Sequence, residues 1–313
     1  MEWFFAALGL VILVLAGDML VKGAVNLSLR VGIPALIVSL TIVAFGTSAP
    51  ELLISIQAVL ERSPGLALGN VVGSNTANIL LVLGLPALIS RLHTSATDTR
   101  KSYLVMLAAS AFFIFIAALG PIKWPQGLVF LVLLTAILFD QGRAAMRHRK
   151  TTAESVEGVD PGMKGWKIAT FLVLGIIGLP LGADLLVDAA QEIARDYGVS
   201  DAMIGLTLVA VGTSLPELAT TVVAAFRRQA DVALGSVIGS NLFNLLGIIG
   251  VASLFGTIPI SPGFLRFDFW VMIGATLLIA PFVFSQSRDM TRRYGFPLVA
   301  LYAVYILIVV MKG

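Results

Sequence analysis

Two eight-residue words carry the residue types that could do chemistry: A-F-G-T-S-A-P-E at 44–51 and A-V-G-T-S-L-P-E at 210–217, a constant 166 residues apart. Each ends in a carboxylate, Glu51 or Glu217, four residues after Thr47 or Thr213; on a helix that spacing puts both side chains on one face. From Val31 to Pro50 there are 20 residues without a charge, and from Leu52 to Leu60 nine more, so Glu51 stands inside an apolar segment of membrane length. A charged side chain there costs ~2.5–3.5 kcal/mol on insertion scales, which makes a functional site the first reading of it. Pro50 has no N–H for the carbonyl four residues back, at Gly46, so a broken or kinked helix is predicted beside the hydroxyls and the carboxylate. Irregular backbone at membrane depth is tolerated only when buried in protein or lining a cavity. Carboxylate, hydroxyl and carbonyl oxygens together suit a hard cation such as Na⁺ or Ca²⁺.

A second pair of words keeps the same offset: G-N-V-V-G-S-N-T-A-N at 69–78 and G-S-V-I-G-S-N-L-F-N at 235–244. Ser74 with Asn78, and Ser240 with Asn244, again share a helix face. Gly69, Gly73 and Gly84 make the first of these helices thin enough to cross another closely. Gly32–Gly84 and Gly198–Gly250 agree at 23 of 53 positions without a gap. Generic apolar similarity would not hold these words in register, so the chain is a duplication. Four helices therefore each offer oxygen atoms, and two glutamates would neutralise one divalent cation. Asn75 and Asn241 face about 100° away from their neighbours on the helix and are expected to bond between helices.

The elements that must position these residues follow from composition. The 313 residues are 58% hydrophobic and 12% charged, against about 25% charged in soluble domains, and mean hydropathy is +0.96. Charge-free runs reach 34 residues, which indicates helices and not the ~10-residue alternating strands of a barrel. The predicted fold is an all-α integral membrane protein of ten transmembrane helices: 3–29, 33–60, 66–90, 102–120, 125–142, 167–194, 200–226, 231–255, 266–285 and 294–312. A first five-helix repeat at 1–142 and a second at 166–313 are joined by a polar loop at 143–165. An odd number of spans per half turns the halves over, so the two repeats are expected to be inverted. With both termini outside, 16 of the 21 Lys and Arg fall on the cytoplasmic side, the central loop among them, as the positive-inside rule requires. The opening M-E-W-F-F reads as a retained helix and not a signal peptide. No cysteine is present, which excludes disulfides and thiolate chemistry. The pI of about 9.3 reflects basic loops, with no nucleic-acid partner expected.

The paired G-T-S-x-P-E and G-x-x-x-G-S-N-x-x-N words resemble the α-repeats of the cation/calcium exchanger superfamily, specifically prokaryotic sodium/calcium antiporters, over essentially the whole chain. The resemblance implies alternating access, with Na⁺ entering down its gradient to drive Ca²⁺ out through one site near the midplane. It implies as ligands Thr47, Ser48, Glu51, Ser74 and Asn78, then Thr213, Ser214, Glu217, Ser240 and Asn244, with the carbonyls of Ala44 and Ala210. It implies the inner membrane of a prokaryote, Na⁺ and Ca²⁺ as transported ions, the lipid bilayer as surroundings, and no cofactor or obligatory protein partner. Some members, the potassium-dependent branch among them, carry Asp in place of Asn244, so Asn in both halves argues against potassium coupling. The proton-coupled branch has a glutamate after its G-N word, and G-N-V-V-G and G-S-V-I-G have none.

Other readings stay beside this one. Glu51 and Glu217 could be a structural pair holding helices together, and any of the four serines could back-bond to its own helix. An antiporter coupled to H⁺, or one carrying another divalent ion, fits the same residues, and a cation channel is a further rival. An enzyme is not expected, because both histidines lie outside the spans and a Ser/His pair or zinc centre cannot be assembled. Asp18 and Asp184 also match at the 166 offset, and Asp18 alone has a lysine, Lys22, at i+4; a structural or gating role is expected for both. His93 and His148 are read as solvated loop residues, and Trp3, Trp124, Trp166 and Trp270 as interfacial anchors.

Overall fold

A computed structural model describes residues 1–94, 99–147, 162–198, 210–285 and 287–312, without the side chains at 145–147, 210 and 312. It is an all-helical, multi-pass membrane protein. In chain order the helices are α1 (Glu2–Val31), α2 (Ala35–Thr47), α3 (Ala49–Leu60), α4 (Pro64–Ile89), α5 (Arg100–Ala118), α6 (Trp124–Arg147), α7 (Gly165–Asp196), α8 (Leu215–Phe226), α9 (Ala230–Phe255), α10 (Phe264–Phe284) and α11 (Arg292–Lys312). Among the described residues eight helices are long and apolar enough to cross a membrane, and the bent pair α2–α3 makes a ninth candidate. The span expected at 200–226 lies partly outside the described residues; 210–226, which includes α8, is its described part. Most of the expected central loop, with His148, also lies outside them.

Burial separates the helices into two classes. In α9 and α4, 94% and 72% of the most apolar window is buried inside the protein, against 22% in α6, α7 and α11. The two helices that carry the Ser/Asn words are thus the centre of the bundle, and the others turn apolar side chains such as Leu53, Val132 and Phe296 outward, as a lipid surround favours. Trp3, Trp124, Trp166 and Trp270 are all exposed near helix ends, where amphipathic rings anchor best.

Helices α1 and α7 run antiparallel in close contact. A Cβ on Gly9 would lie 2.7 Å from the Leu186 amide nitrogen, and one on Gly175 would lie 2.6 Å from Leu20 Cβ. Glycine is required at both places, since any side chain would force the backbones apart. The two contacts match at the 166 offset, Gly9 with Gly175 and Leu20 with Leu186.

Chain direction and polar contacts fix the two ends of the bundle. At one end Arg30 donates to the Met163 carbonyl (3.3 Å), Arg100 to Phe284 (3.1 Å) and Arg292 to Leu88 (2.7 Å), while Lys101 pairs with Asp140 (2.5 Å). This is the basic end. Here the Asp289 side chain, only 5% exposed, is held by Arg91 at 2.8 Å and by His93 Nδ1 at 3.2 Å. His93 is therefore a half-exposed partner of a buried acid and not the freely solvated residue expected, because a buried carboxylate must be paired. Glu2, Asp188 and Glu192 line a shallow cavity at the opposite, acidic end.

Candidate metal centre

The chain breaks where the proline rule requires. α2 and α3 meet at 45°, with Ser48 between them at φ −89° and ψ 7°. Ser214 repeats this before α8, at φ −92° and ψ 4°. Pro50 and Pro216 each sit in the first turn of the helix that follows, as do Glu51 and Glu217. That turn exposes N–H groups and the positive end of the helix dipole, a favourable setting for a carboxylate. A further irregularity appears in the central helices. Asn78 begins a π-helical turn, Asn78–Val82, and Asn244 lies in another, Phe243–Ile248. Such turns concentrate at functional sites.

The side chains converge across the two halves. Ser48 Oγ donates to Glu217 Oε1 at 3.1 Å, Ser240 Oγ to the same oxygen at 3.5 Å, and Thr47 Oγ1 lies 3.5 Å from Ser240 Oγ. Glu51 is within electrostatic reach of Glu217. Asn78 Nδ2 donates to Asn241 Oδ1 at 3.0 Å. At the crossing of α4 and α9, Asn75 Nδ2 donates to the Asn241 carbonyl (3.2 Å) and Asn241 Nδ2 to the Asn75 carbonyl (3.4 Å). That is the interhelical role expected of this pair. Ser74 is buried one turn before Asn78, and Ser214 and Asn244 are buried in the second half. Thr213 is half-buried.

The main-chain groups differ between halves. The Ala44 carbonyl accepts the Ser48 N–H at 3.0 Å and the Thr47 hydroxyl at 3.3 Å, so the hydroxyl must turn before that oxygen could meet a cation. In the second half the Ser214 N–H goes to Val211 at 3.0 Å, and the carbonyl of Ala210 is not taken by that amide.

What remains unpaired defines the chemistry. Among the described residues, Glu51 Oε2, Glu217 Oε2, Asn78 Oδ1, Ser214 Oγ and both amide atoms of Asn244 are buried without a hydrogen-bond partner. Leaving such groups unsatisfied costs ~1–3 kcal/mol each, and more for a charged one. All but the Asn244 nitrogen are oxygens, the donor set of a hard cation. The set holds neither imidazole nor thiolate, the ligands that favour zinc or copper. A cavity of about 240 Å³, lined by Pro50, Pro216, Thr213, Asp184 and Asp188, reaches the two broken helices from the acidic end.

One participant escaped the reading of the sequence. Asn70 Nδ2 donates to the Glu51 carbonyl (3.3 Å) and to Ser55 Oγ (3.1 Å), tying α4 to α3 directly behind the carboxylate. The signal was present: Asn70, Ser74 and Asn78 form an i, i+4, i+8 series on one face.

The chain matches a family model described as sodium/calcium exchanger protein at residues 1–141 and 167–311. It is 32% identical to the sodium/calcium exchanger MaX1 of Methanosarcina acetivorans, over 96% of each chain. It is 32% identical to the inner membrane protein YrbG of Escherichia coli, over 95% of this chain and 93% of that one. Among solved structures, the sodium/calcium exchanger from Methanococcus jannaschii superposes with a TM-score of 0.82 at 32% identity, over 98% of this chain and 97% of that one.

Proposed function

The chain belongs to the sodium/calcium exchanger family, and from that premise we propose that it exchanges Na⁺ for Ca²⁺ by alternating access at a site near the bilayer midplane. The observation that carries the reading is the pair of buried carboxylates, one from each half, each with Oε2 unpartnered among amide and hydroxyl oxygens. Two carboxylates match one divalent cation, or more than one Na⁺ spread over the same oxygens. The proposed ligands are the side-chain oxygens of Thr47, Ser48, Glu51, Ser74, Asn78, Thr213, Ser214, Glu217, Ser240 and Asn244, and the Ala44 and Ala210 carbonyls. Crystals of the Methanococcus jannaschii exchanger were soaked with Na⁺ together with Ca²⁺ or Sr²⁺, the ions that this donor set suits.

The proposed architecture is ten spans in two inverted repeats, 1–142 and 166–313, joined by a cytoplasmic loop at 143–165 in a prokaryotic inner membrane. The antiparallel α1 and α7 with their matched glycine contacts, and the reciprocal Asn75–Asn241 bonds, support inversion. The cavity that reaches the site from the acidic end supports access from one side at a time. The basic end is taken as cytoplasmic, from the distribution of Lys and Arg.

The test is ⁴⁵Ca²⁺ uptake into proteoliposomes loaded with Na⁺, K⁺ or acid, with Glu51→Gln as control. Uptake driven by the Na⁺ gradient and reduced at least 100-fold in the variant is expected. Equal drive from a proton gradient would overturn the coupling ion, and full uptake in Glu51→Gln would overturn the site.

A further inference from the structure

Outside the proposed ligands and the Asn75–Asn241 crossing, four buried side chains keep polar atoms without a partner among the described residues: Ser39 Oγ, Thr221 Oγ1, Ser236 Oγ and both amide atoms of Gln141. They form one layer. Measured inward from Ala35, Phe226, Ala230 and Arg147, the helix termini at the basic end, they are four to six residues deep, or about 6–9 Å at 1.5 Å per residue. Ser39 faces α9, with its Cβ 3.0 Å from where Gly235 would carry one.

The matching place in the first half is filled. Thr221 and Ser236 stand 166 residues after Ser55 and Asn70, where the Asn70 amide spans the Glu51 carbonyl and Ser55 Oγ. Ser236 places a shorter hydroxyl where Asn70 places that amide, and neither it nor Thr221 Oγ1 finds a partner among the described residues. Gln141 stands opposite an apolar residue in the repeat, Leu307. Among the described residues, the matching polar pair at the other end is satisfied, and the unpartnered atoms of this layer lie at the basic end. Each unsatisfied buried group destabilises the fold, and sequences keep such local violations at functional places.

We propose that this layer lines the route by which cations and their water pass between Glu217 and the basic face when that end is open. The hydroxyls and the amide replace part of the hydration shell that apolar side chains would strip away. This rests on the exchanger reading above.

The chain lacks cysteine, so single cysteines report without background. In sealed vesicles, Ser236→Cys and Thr221→Cys are treated from either side, during exchange, with a membrane-impermeant methanethiosulfonate. Exposed Arg293→Cys marks the basic side, and Ser253→Cys, buried and bonded to the Gly250 carbonyl at 2.9 Å, is the control. Labelling of positions 221 and 236 from the side that labels Arg293→Cys, at least tenfold faster than Ser253→Cys, is expected. Labelling from the opposite side alone, or at the control rate, overturns the route. Ser236→Asn is a second arm that supplies the amide of the first half. It is expected to keep the melting temperature and the apparent Ca²⁺ affinity while turnover falls at least tenfold, and unchanged turnover overturns the route. Exchange by the cysteine-free parent with inert cysteines sinks the route alone, whereas a parent that does not exchange sinks the exchanger reading.

Discussion

Glu217 illustrates how a residue can be fully buried and only half satisfied. Its Oε1 accepts from Ser48 and Ser240, while Oε2 has no donor among the described residues. A cation that binds the folded protein stabilises it by about 2.7 kcal/mol at a concentration 100 times its Kd. Ca²⁺ is therefore expected to raise the melting temperature of the detergent-solubilised protein by several degrees. Glu217→Gln should abolish that shift while leaving the ion-free protein at least as stable, because an uncompensated buried carboxylate is lost. A Ca²⁺ shift of full size in Glu217→Gln would place the ion elsewhere. At this scale the sequence was most informative. Charge inside an apolar run, proline one residue before it and hydroxyls at i−4 and i−3 are local signals, repeated 166 residues on. Asn70 was missed because its partner is the main chain of another helix, which no side-chain pattern announces.

Between helices the two halves are held differently. Near the basic end α1 is fastened to α8: Asp18 pairs with Lys22 at 2.7 Å and with Arg227, and a Cβ on Gly17 would lie 3.3 Å from the Ala219 carbonyl. At the 166 offset Asp18 corresponds to Asp184, Lys22 to Asp188 and Glu61 to Arg227. The acidic end thus has carboxylates where the basic end has their cations, and Asp184 and Asp188 line its open cavity. The Asp18–Arg227 pair is about a quarter exposed, which limits it to ~1 kcal/mol. Arg227→Gln should accelerate labelling of Ser236→Cys from the basic side on the order of fivefold; an unchanged rate would show that these charges do not hold that end shut. The Asp18–Lys22 pair was legible as an i+4 spacing. Arg227 was not, since it lies 209 residues away and the contact exists only once the halves are docked. The π-helical turns at Asn78 and Asn244 were also invisible: one extra residue shifts the pattern by about 100°, but helices buried on nearly all sides have no polar face for that shift to displace. Likewise, hydropathy located long apolar helices but not their burial, as a helix apolar on all sides reads the same whether protein or lipid surrounds it.

For the whole molecule, a coupling ratio of more than two Na⁺ per Ca²⁺ would make the proposed exchange carry net charge, and its dependence on membrane potential tests for that ratio. Each net charge is worth ~2.3 kcal/mol per 100 mV, or about 50-fold in the Ca²⁺ gradient sustained. A K⁺ diffusion potential of about 100 mV imposed on Na⁺-loaded proteoliposomes should shift Ca²⁺ accumulation by that order, inside-positive potentials raising it, because more positive charge leaves with Na⁺ than enters with Ca²⁺. Accumulation indifferent to potential would make the exchange electroneutral.

The crossing of α4 and α9 has a consequence for how such a molecule can move. On the proposed two-fold axis Asn75 and Asn241 are images of each other, and each amide donates to the other's carbonyl. A rearrangement that makes the halves trade roles maps this pair onto itself, so the bonds before and after are the same bonds. The asparagines sit at the fixed point of the transformation, like the pin of a balance. The arms swing about them, and the energy of the pin does not enter the difference between left and right.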